Sequence, residues 1–585
     1  MKPPRPRSSG LSRQTWIRHI SHWITSQIEA ISNLPIPRTG LLWLAGFALG
    51  AKITLFFLAV GDYGWTGGAS SVVVALCPLL LGSVLVAATV RRLPALAVFL
   101  LAAVVACPWT WLYWRAPWQT YLAMLPRREC WGMVRCQLQE GGFDSRQLSL
   151  LSAARPRMVC LVTEVQTMAS TGQWQRARGK ILLRGNKSTA AELSRLLAGE
   201  ELEAEGLFLL PPHGEELYGF YGDYLESLGV RRIFLVTSLH PQGRGRNLKC
   251  RWHRALALLR QRLGELLVSD MHDTPAAGMY LALGLGLREY LPRSAQEIFL
   301  KSGTIHLFAI SGLHVAVVSA ICLQLLVLTG VLWRPRLLLS GGICLGYALL
   351  TGMSPSSWRA TLMVLLWIYA KLRWRPGNSL HILSLTGNLA LLGNPLLVLN
   401  TGFLYSYLAV VILLVIWTAG NRFSTVLFEK KHWVPRRLQG WQPLRKALER
   451  LGLRDVWANW RLWREKLPTA LLSSCLVWLG TAGLTASRGR WLCLTSPLLN
   501  LPLTAMIPLV LGSCPLKILC ALCWPQANRW LAGKVACLLQ ILQALAETAA
   551  EAPGSFPVRA PGALETVLFY SALAVLLLSL NKKRR

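Results

Sequence analysis

The sequence predicts a polytopic α-helical membrane protein of about twelve spans carrying one small external β-barrel domain that resembles an oligonucleotide-binding fold. Three observations predict it. Of 585 residues, 53% are hydrophobic and only 15% are charged, against about 25% charged in a soluble domain. Apolar stretches of about 20 residues, the length that crosses the hydrocarbon layer as a helix, recur along the chain. One long segment between two groups of such stretches is instead polar, with short strand-like runs separated by glycine and polar turns. This composition excludes a disordered or wholly solvent-exposed chain. The 62 basic residues outnumber the 27 acidic ones, a formal charge of +35, which calls for anionic partners such as lipid headgroups or nucleic acid.

The elements follow in order. Residues 1–40 are basic, with Arg5, Arg7, Arg13, Arg18 and Arg38, and lack the features of a cleavable signal peptide. Trp16, Ile20, Trp23, Ile24 and Ile28 fall at helical spacing, as in an interfacial helix on the inner leaflet. Residues 41–114 hold three spans, Leu41–Val60, Ala69–Val90 and Leu93–Trp114. The loop Gly61–Gly68 has no positive charge, whereas Arg91 and Arg92 mark the cytoplasmic side, so residues 115–271 fall outside. Their strand-like runs are Met158–Val165, Trp174–Leu183, Glu201–Leu210 and Arg232–Thr237. A five-stranded barrel fits the size, and a β-sandwich fits nearly as well.

Residues 272–420 form the first half of a membrane core. Arg288, Glu289, Arg293 and Glu297 mark Pro275–Lys301 as re-entrant or interfacial rather than a full span. Ile305–Leu332 is one span, Leu337–Thr351 and Trp358–Leu372 make a hairpin about the turn Gly352–Ser356, and Leu380–Leu399 and Phe403–Thr418 follow. Residues 421–466 are a basic cytoplasmic loop in which Trp457, Trp460 and Trp463 alternate with Arg454, Arg461 and Arg464, suiting an amphipathic helix on anionic lipid or a base-stacking surface. Residues 467–585 supply the second half, with Ala470–Ala486, Trp491–Leu511, one crossing within Leu516–Ala550, and Ala563–Leu580.

Polar residues at membrane depth are the candidate functional groups, because their desolvation is costly unless they face a cavity, a pore or another helix. His306 and His314 share a face if their helix is unbroken, with Ser311 on the same side. The residues alone allow a pore lining, hydrogen bonds between helices, a metal site, or Ser/His chemistry. No carboxylate or cysteine joins the histidines at ligand spacing, so no metal site is assigned. Ser354 and Arg359 form a second cluster, where Arg359 either snorkels to the interface or presents its guanidinium to a phosphate. Ser406 lies near the start of the next helix. On the external segment Arg176, Arg178, Lys180, Arg184 and Lys187 make a basic strand and turn, and Arg231 and Arg232 add to it. They read as a DNA-contacting surface or as a solvated edge. Cys130 and Cys136 are candidates for a disulfide, although with Cys160 and Cys250 three connectivities exist, and free buried thiols are the alternative. Cys520 and Cys523 have redox-motif spacing without the surrounding fold such a motif needs.

Three runs carry a family resemblance. His306–Val315 (HLFAISGLHV), Ser354–Met363 (SPSSWRATLM) and Asn394–Ala409 (NPLLVLNTGFLYSYLA) resemble, in order and spacing, successive signatures of the ComEC-type competence proteins. Tyr218-Gly219-Phe220, Tyr224-Leu225 and Gly229-Val230 are similar to the end of that family's external domain, and Ser496–Asn500 and Leu568–Tyr570 to its later helices. The sequence departs from the family at Glu216–Tyr221, at Leu404–Tyr407 and at Asn378, where an aspartate is common. It also lacks the His-x-His-x-Asp-His metal motif of the metallo-β-lactamase-like domain that many members carry.

The resemblance implies an inner-membrane channel for uptake of single-stranded DNA in transformation, with the external domain receiving the strand. His306, Ser311, His314, Ser354, Arg359 and Ser406 would line the path. Without that metal motif and without a phosphate-loop motif, no enzymatic activity and no cofactor are expected of this chain, and the resemblance places its membrane in the bacterial inner (cytoplasmic) position. The expected partners are single-stranded DNA, anionic lipid, and a separate cytoplasmic motor, single-strand-binding proteins and a nuclease. Two other readings remain: a transporter of a small anionic solute using Arg359 and the histidines, and an intramembrane hydrolase using Ser311 and His314.

Overall fold

The computed structural model describes residues 46–54, 94–114, 129–139, 157–167, 173–211, 219–427 and 454–558, apart from short gaps within these ranges, with a few further positions near residues 43 and 570. The expected helix in residues 1–40, the span Ala69–Val90, most of Ala563–Leu580 and Lys187 lie outside them. The chain divides into two compact units, residues 1–116 with 376–399, and residues 117–375 with 400–585.

In the first unit, helices α1 (residues 46–54) and α2 (Pro94–Trp114) pack closely. A Cβ on Gly50 would lie 2.1 Å from the Ala103 carbonyl oxygen, so only glycine permits this approach. Thr54 donates to the Gly50 carbonyl at 3.0 Å, which hides its hydroxyl from the hydrocarbon. Trp109 Nε1 donates to the Leu392 carbonyl, tying α2 to the end of the helix Ser379–Gly393.

The second unit begins with five strands closed into a barrel: β1 (Cys130–Leu138), β2 (Arg157–Thr167), β3 (Gln175–Gly185), β4 (Glu200–Leu209) and β5 (Val230–Arg244), in spatial order β1-β2-β3-β5-β4. All pairs are antiparallel except β3 with β5. Closure decides for the barrel over the sandwich. Alternation drives it: Val134, Cys136, Leu138, Met158, Cys160, Ala177, Ile181, Leu183, Leu202, Ala204, Phe208, Phe234 and Val236 point inward. The rings of Phe208 and Phe234 meet edge to face at 4.6 Å. Three of the four strands that the sequence predicts correspond to β2–β4 within two residues, and Arg232–Thr237 covers only the first part of β5, which runs on to Arg244. Strand β1 is an addition to them, because Gly132 on its inner face and apolar Trp131 and Met133 on its outer face blur the alternation, and its partner β4 lies far along the chain. Helix α3 (Ala190–Arg195) joins β3 to β4, and α4 (Gly219–Ser227) joins β4 to β5.

Helix α5 (Leu248–Val268) leads from the barrel into the helical core. There α6 (Thr274–Leu285) is buried along almost its whole length. At 12 residues it reaches about 18 Å, too short to cross about 30 Å of hydrocarbon, and α7 (Arg293–Lys301) is shorter still. The following helices are α8 (Gly312–Leu328), α9 (Trp333–Leu350), α10 (Pro355–Leu372), α12 (Thr401–Leu427), α13 (Arg454–Gly489), α14 (Ser496–Cys523) and α15 (Pro525–Glu551), α11 being Ser379–Gly393 of the first unit. The hairpin of α9 and α10 is as expected, turning at Gly352 and Met353, whose φ values of 83° and 48° are left-handed. A short ribbon of β6 (Trp491–Cys493) and β7 (Ser555–Pro557) closes the end of the unit.

Among the described residues three helices are long and apolar enough to cross a membrane, in α13, α14 and α15, while the expected count of about twelve takes in segments outside those residues. Four shorter apolar helices accompany them. The chain is thus a membrane protein, but several expected spans are subdivided. Ile305–Leu332 breaks before Gly312, Leu380–Leu399 ends its helix at Gly393, Trp491–Leu511 opens as strand β6, and Leu516–Ala550 divides at Trp524 between α14 and α15. Hydropathy counts apolar residues but does not record where the backbone bends. The tryptophan-rich segment likewise is no separate element, since α13 runs unbroken from Arg454 to Gly489.

Candidate functional site

The break at Ser311 builds the site. Residues Ile305–Phe308 form a 3-10 turn, and Ser311 adopts extended backbone as the N-cap of α8. His314 stands at the third helical position and reaches back to it: the Ser311 backbone N–H donates to Nδ1 at 3.3 Å, and Ser311 Oγ lies 3.0 Å from Nδ1. A nitrogen that accepts a backbone N–H carries no proton, so in the neutral imidazole the proton is on Nε2. Nε2 is buried without a hydrogen-bond partner among the described residues. His306 and His314 therefore do not share one face of an unbroken helix. His306 is exposed on the 3-10 turn with Nδ1 3.3 Å from the Gly303 carbonyl, while His314 is 1% exposed.

The start of α10 abuts the start of α8. Ser354 caps α10 by accepting from Ser357 N–H and donates to the Ile310 carbonyl at 3.5 Å. Arg359, one turn further, is 5% exposed, so it does not snorkel to an interface. Its Nη2 lies 3.5 Å from where a Cβ on Gly312 would sit, and its guanidinium rests 5.3 Å from the Tyr407 ring. Arg359 Nε and Nη1 have no hydrogen-bond partner among the described residues. Ser356 and Ser406 hydroxyls, 3.1 Å apart, join α10 to α12. Arg288 Nε donates to the Phe308 carbonyl at 2.9 Å, and its charge acts on His314. Ser311, His314, Ser354 and Arg359 thus converge on the Ile310–Gly312 turn, Ser406 joins through Ser356, and His306 stands at the edge. Arg288, Ser356 and Tyr407 belong to the site without being among the residues that sequence reasoning selects. A charge inside an apolar segment is itself a functional signal, and Arg288 carries that signal as well as arguing against a full span.

On the barrel, Arg176, Arg178, Lys180 and Arg184 occupy alternate positions of β3 and share its outer face, opposite the inward Ala177, Ile181 and Leu183. Arg176 and Arg178 are exposed, and Lys180 Nζ donates to the Leu228 carbonyl. Arg232 is a correction. It has the parity of the inward Phe234 and Val236 and is 3% exposed, so it is no surface contact for DNA. Burial pulls its pKa down, opposed by the neighbouring Cys130. The side chain of Arg231 lies outside the described residues. Glu201, Glu203 and Glu205 make the outer face of β4 acidic. Arg135 is neutralised between Glu203 at 3.0 Å and Glu164 at 2.9 Å, which raise its pKa, and lies 4.0 Å over Trp174. Cys130 and Cys136 are free. Six residues apart on one strand they are separated by about 20 Å, beyond the roughly 7 Å reach of a disulfide.

Helix α4 links barrel and core. Leu225 packs with Leu182, Val230 and Ile233 of the barrel. On its other side Ser227 Oγ accepts from Asn400 Nδ2 at 2.8 Å, and Asn400 Oδ1 caps α12 by accepting from Phe403 N–H. Tyr224 interacts electrostatically with Arg288. Among the described residues no group of three or more His, Cys, Asp or Glu is placed to hold a metal ion.

Comparison with known proteins places this arrangement. Residues 283–583 match the competence protein family. ComE operon protein 3 of Bacillus subtilis is 28% identical over 37% of this chain and 28% of its own. The uncharacterized protein YcaI of Escherichia coli is 31% identical over 25% of this chain and 21% of its own, and Recombination protein 2 of Haemophilus influenzae 28% identical over 27% and 21%. The similarity thus spans less than a third of each of these relatives. No solved structure matches. The family match covers more than half of the 585 residues and includes all three polar runs around Arg359, so the chain belongs to the competence protein family.

Proposed function

We propose that this protein is an inner-membrane channel that passes single-stranded DNA during natural transformation. The observation that carries the reading is a set of polar contacts from the basic strand β3 to the core by way of α4: Lys180 donates to the Leu228 carbonyl just after α4, Ser227 of α4 accepts from Asn400, and Tyr224 of α4 interacts electrostatically with Arg288. A strand carries one charge per phosphate, so its path needs spaced cations and polar groups more than one deep pocket. The barrel, with the strand order of an oligonucleotide-binding fold, receives DNA on its β2–β3 side. It faces outward and the N-terminus is cytoplasmic. Trp457, Trp460 and Trp463 meet anionic lipid or the emerging bases. The chain conducts and does not cleave. A motor, single-strand-binding proteins and a nuclease act as separate partners. The Ser311–His314 contact serves as a helix cap, which supports positioning rather than hydrolysis. In vesicles holding the full chain, an external labelled single strand should become protected from added nuclease. Equal protection in empty vesicles would refute the reading.

The burial of Arg359 favours one second reading, carriage of a small anionic solute. Flux of inorganic phosphate without passage of any strand would decide for it.

A further inference from the structure

Two helices, α8 and α10, bring their N-termini to one turn, joined by Ser354 and the Ile310 carbonyl. Each N-terminus carries partial positive charge. Around the same turn stand Arg359, whose Nε and Nη1 are unpartnered, the unpartnered Nε2–H of His314, and Arg288. Neither arginine has a carboxylate partner among the described residues. Leaving such donors buried and unmet costs free energy in every state in which no acceptor reaches them. At Gly312 a Cβ would lie 3.5 Å from Arg359 Nη2, so the glycine sets this backbone close against the guanidinium with no side chain between them. Arg288 and His306 are exposed at the edge of this turn.

We infer that the space bounded by Gly312, His314, Arg359 and Arg288 is an oxyanion site that takes one phosphate-type group at a time. The identity of its natural ligand, the phosphodiester of a passing strand, rests on the proposed function; the site itself does not. Two oxygens of the anion accept from the Arg359 fork and from His314 Nε2–H, and Arg288 supplies the second charge. The donors come from two helices, so an anion also bridges α8 and α10.

The test uses the full chain in a phosphate-free maltoside detergent at constant ionic strength. Three probes are compared: inorganic phosphate, a short oligodeoxythymidylate, and phosphatidylglycerol. The expected result is thermal stabilisation by phosphate and by the oligonucleotide, with apparent affinity at least tenfold weaker in Arg359→Gln and partly restored in Arg359→Lys. Gly312→Ala, which places a methyl in ordinary contact with the guanidinium and keeps the fold, should also weaken binding. Phosphate affinity unchanged in both Arg359→Gln and Gly312→Ala overturns the site. Stabilisation by the lipid alone overturns the assignment to strand phosphate. Phosphate binding abolished in the variants with strand passage intact keeps the site and removes the strand as its ligand. Strand passage abolished with phosphate binding unchanged removes the site and keeps the uptake reading.

Discussion

Asn400 and Ser227 stand 173 residues apart in sequence and 2.8 Å apart in the fold, where the amide of a core helix cap holds the end of the barrel's own helix α4. Asn400 is 2% exposed and uses both ends of its amide, one for Ser227 and one for Phe403 N–H. Asn400→Ala leaves that N–H unmet, an expected cost of about 1–3 kcal/mol. A double-mutant cycle with Ser227→Ala, read by thermal unfolding in detergent, should give a coupling of about 0.5 kcal/mol or more. Additive effects would show that the hydrogen bond does not join the two parts energetically.

The outer face of β3 should set DNA affinity, and Arg135 should not. Arg176→Gln with Arg178→Gln is expected to lower affinity for a single strand across sequences and to flatten its salt dependence, by about 0.7 in slope for each phosphate that is no longer neutralised. Arg135→Gln should leave the salt slope unchanged, because Glu203 and Glu164 already neutralise that guanidinium. Titrations of the full chain at several salt concentrations separate the two cases.

Cys130 and Cys136 should remain thiols under oxidising conditions. Burial raises the Cys130 pKa, so the reactive thiolate is scarce at neutral pH and alkylation is slower than at an exposed cysteine. Mass measurement after alkylation without reductant should find each residue either alkylated or as a free thiol. A mass two hydrogens lower, mapped to this strand, would contradict the strand geometry.

Lys517 holds the end of α5 to α14 and α15. Its ammonium group is fully buried and donates to the Ser269 carbonyl at 2.7 Å and to Asn528 Oδ1 at 2.8 Å, while Asn528 donates to Asp270. Lys517→Met strands two acceptors, at about 1–3 kcal/mol each. Asn528→Ala should cost at least as much as Lys517→Met, since it removes the bonds to Lys517, to Ser269 Oγ and to Asp270 and leaves the buried ammonium with the Ser269 carbonyl. The melting temperatures of the two variants rank them, and the reverse order would contradict this network.

The sequence by itself determined the membrane class, four barrel strands, the α9–α10 hairpin and the polar runs of the site. Each is a local pattern, either a period of two, a period near 3.6, or a costly polar residue in an apolar stretch. Arg359 and Arg232 show what local pattern leaves open. Both lie within apolar runs, yet one closes a polar site in the helical core and the other turns into the barrel wall. Only the tertiary structure decided that, together with the entry of β1 into the ring, the break at Ser311 that parts His306 from His314, and the seat of α4 against Asn400. The physical reason is the same in each case. A sequence records which side of an element is apolar, whereas burial, hydrogen-bond partnership and closure depend on which distant element arrives to cover it.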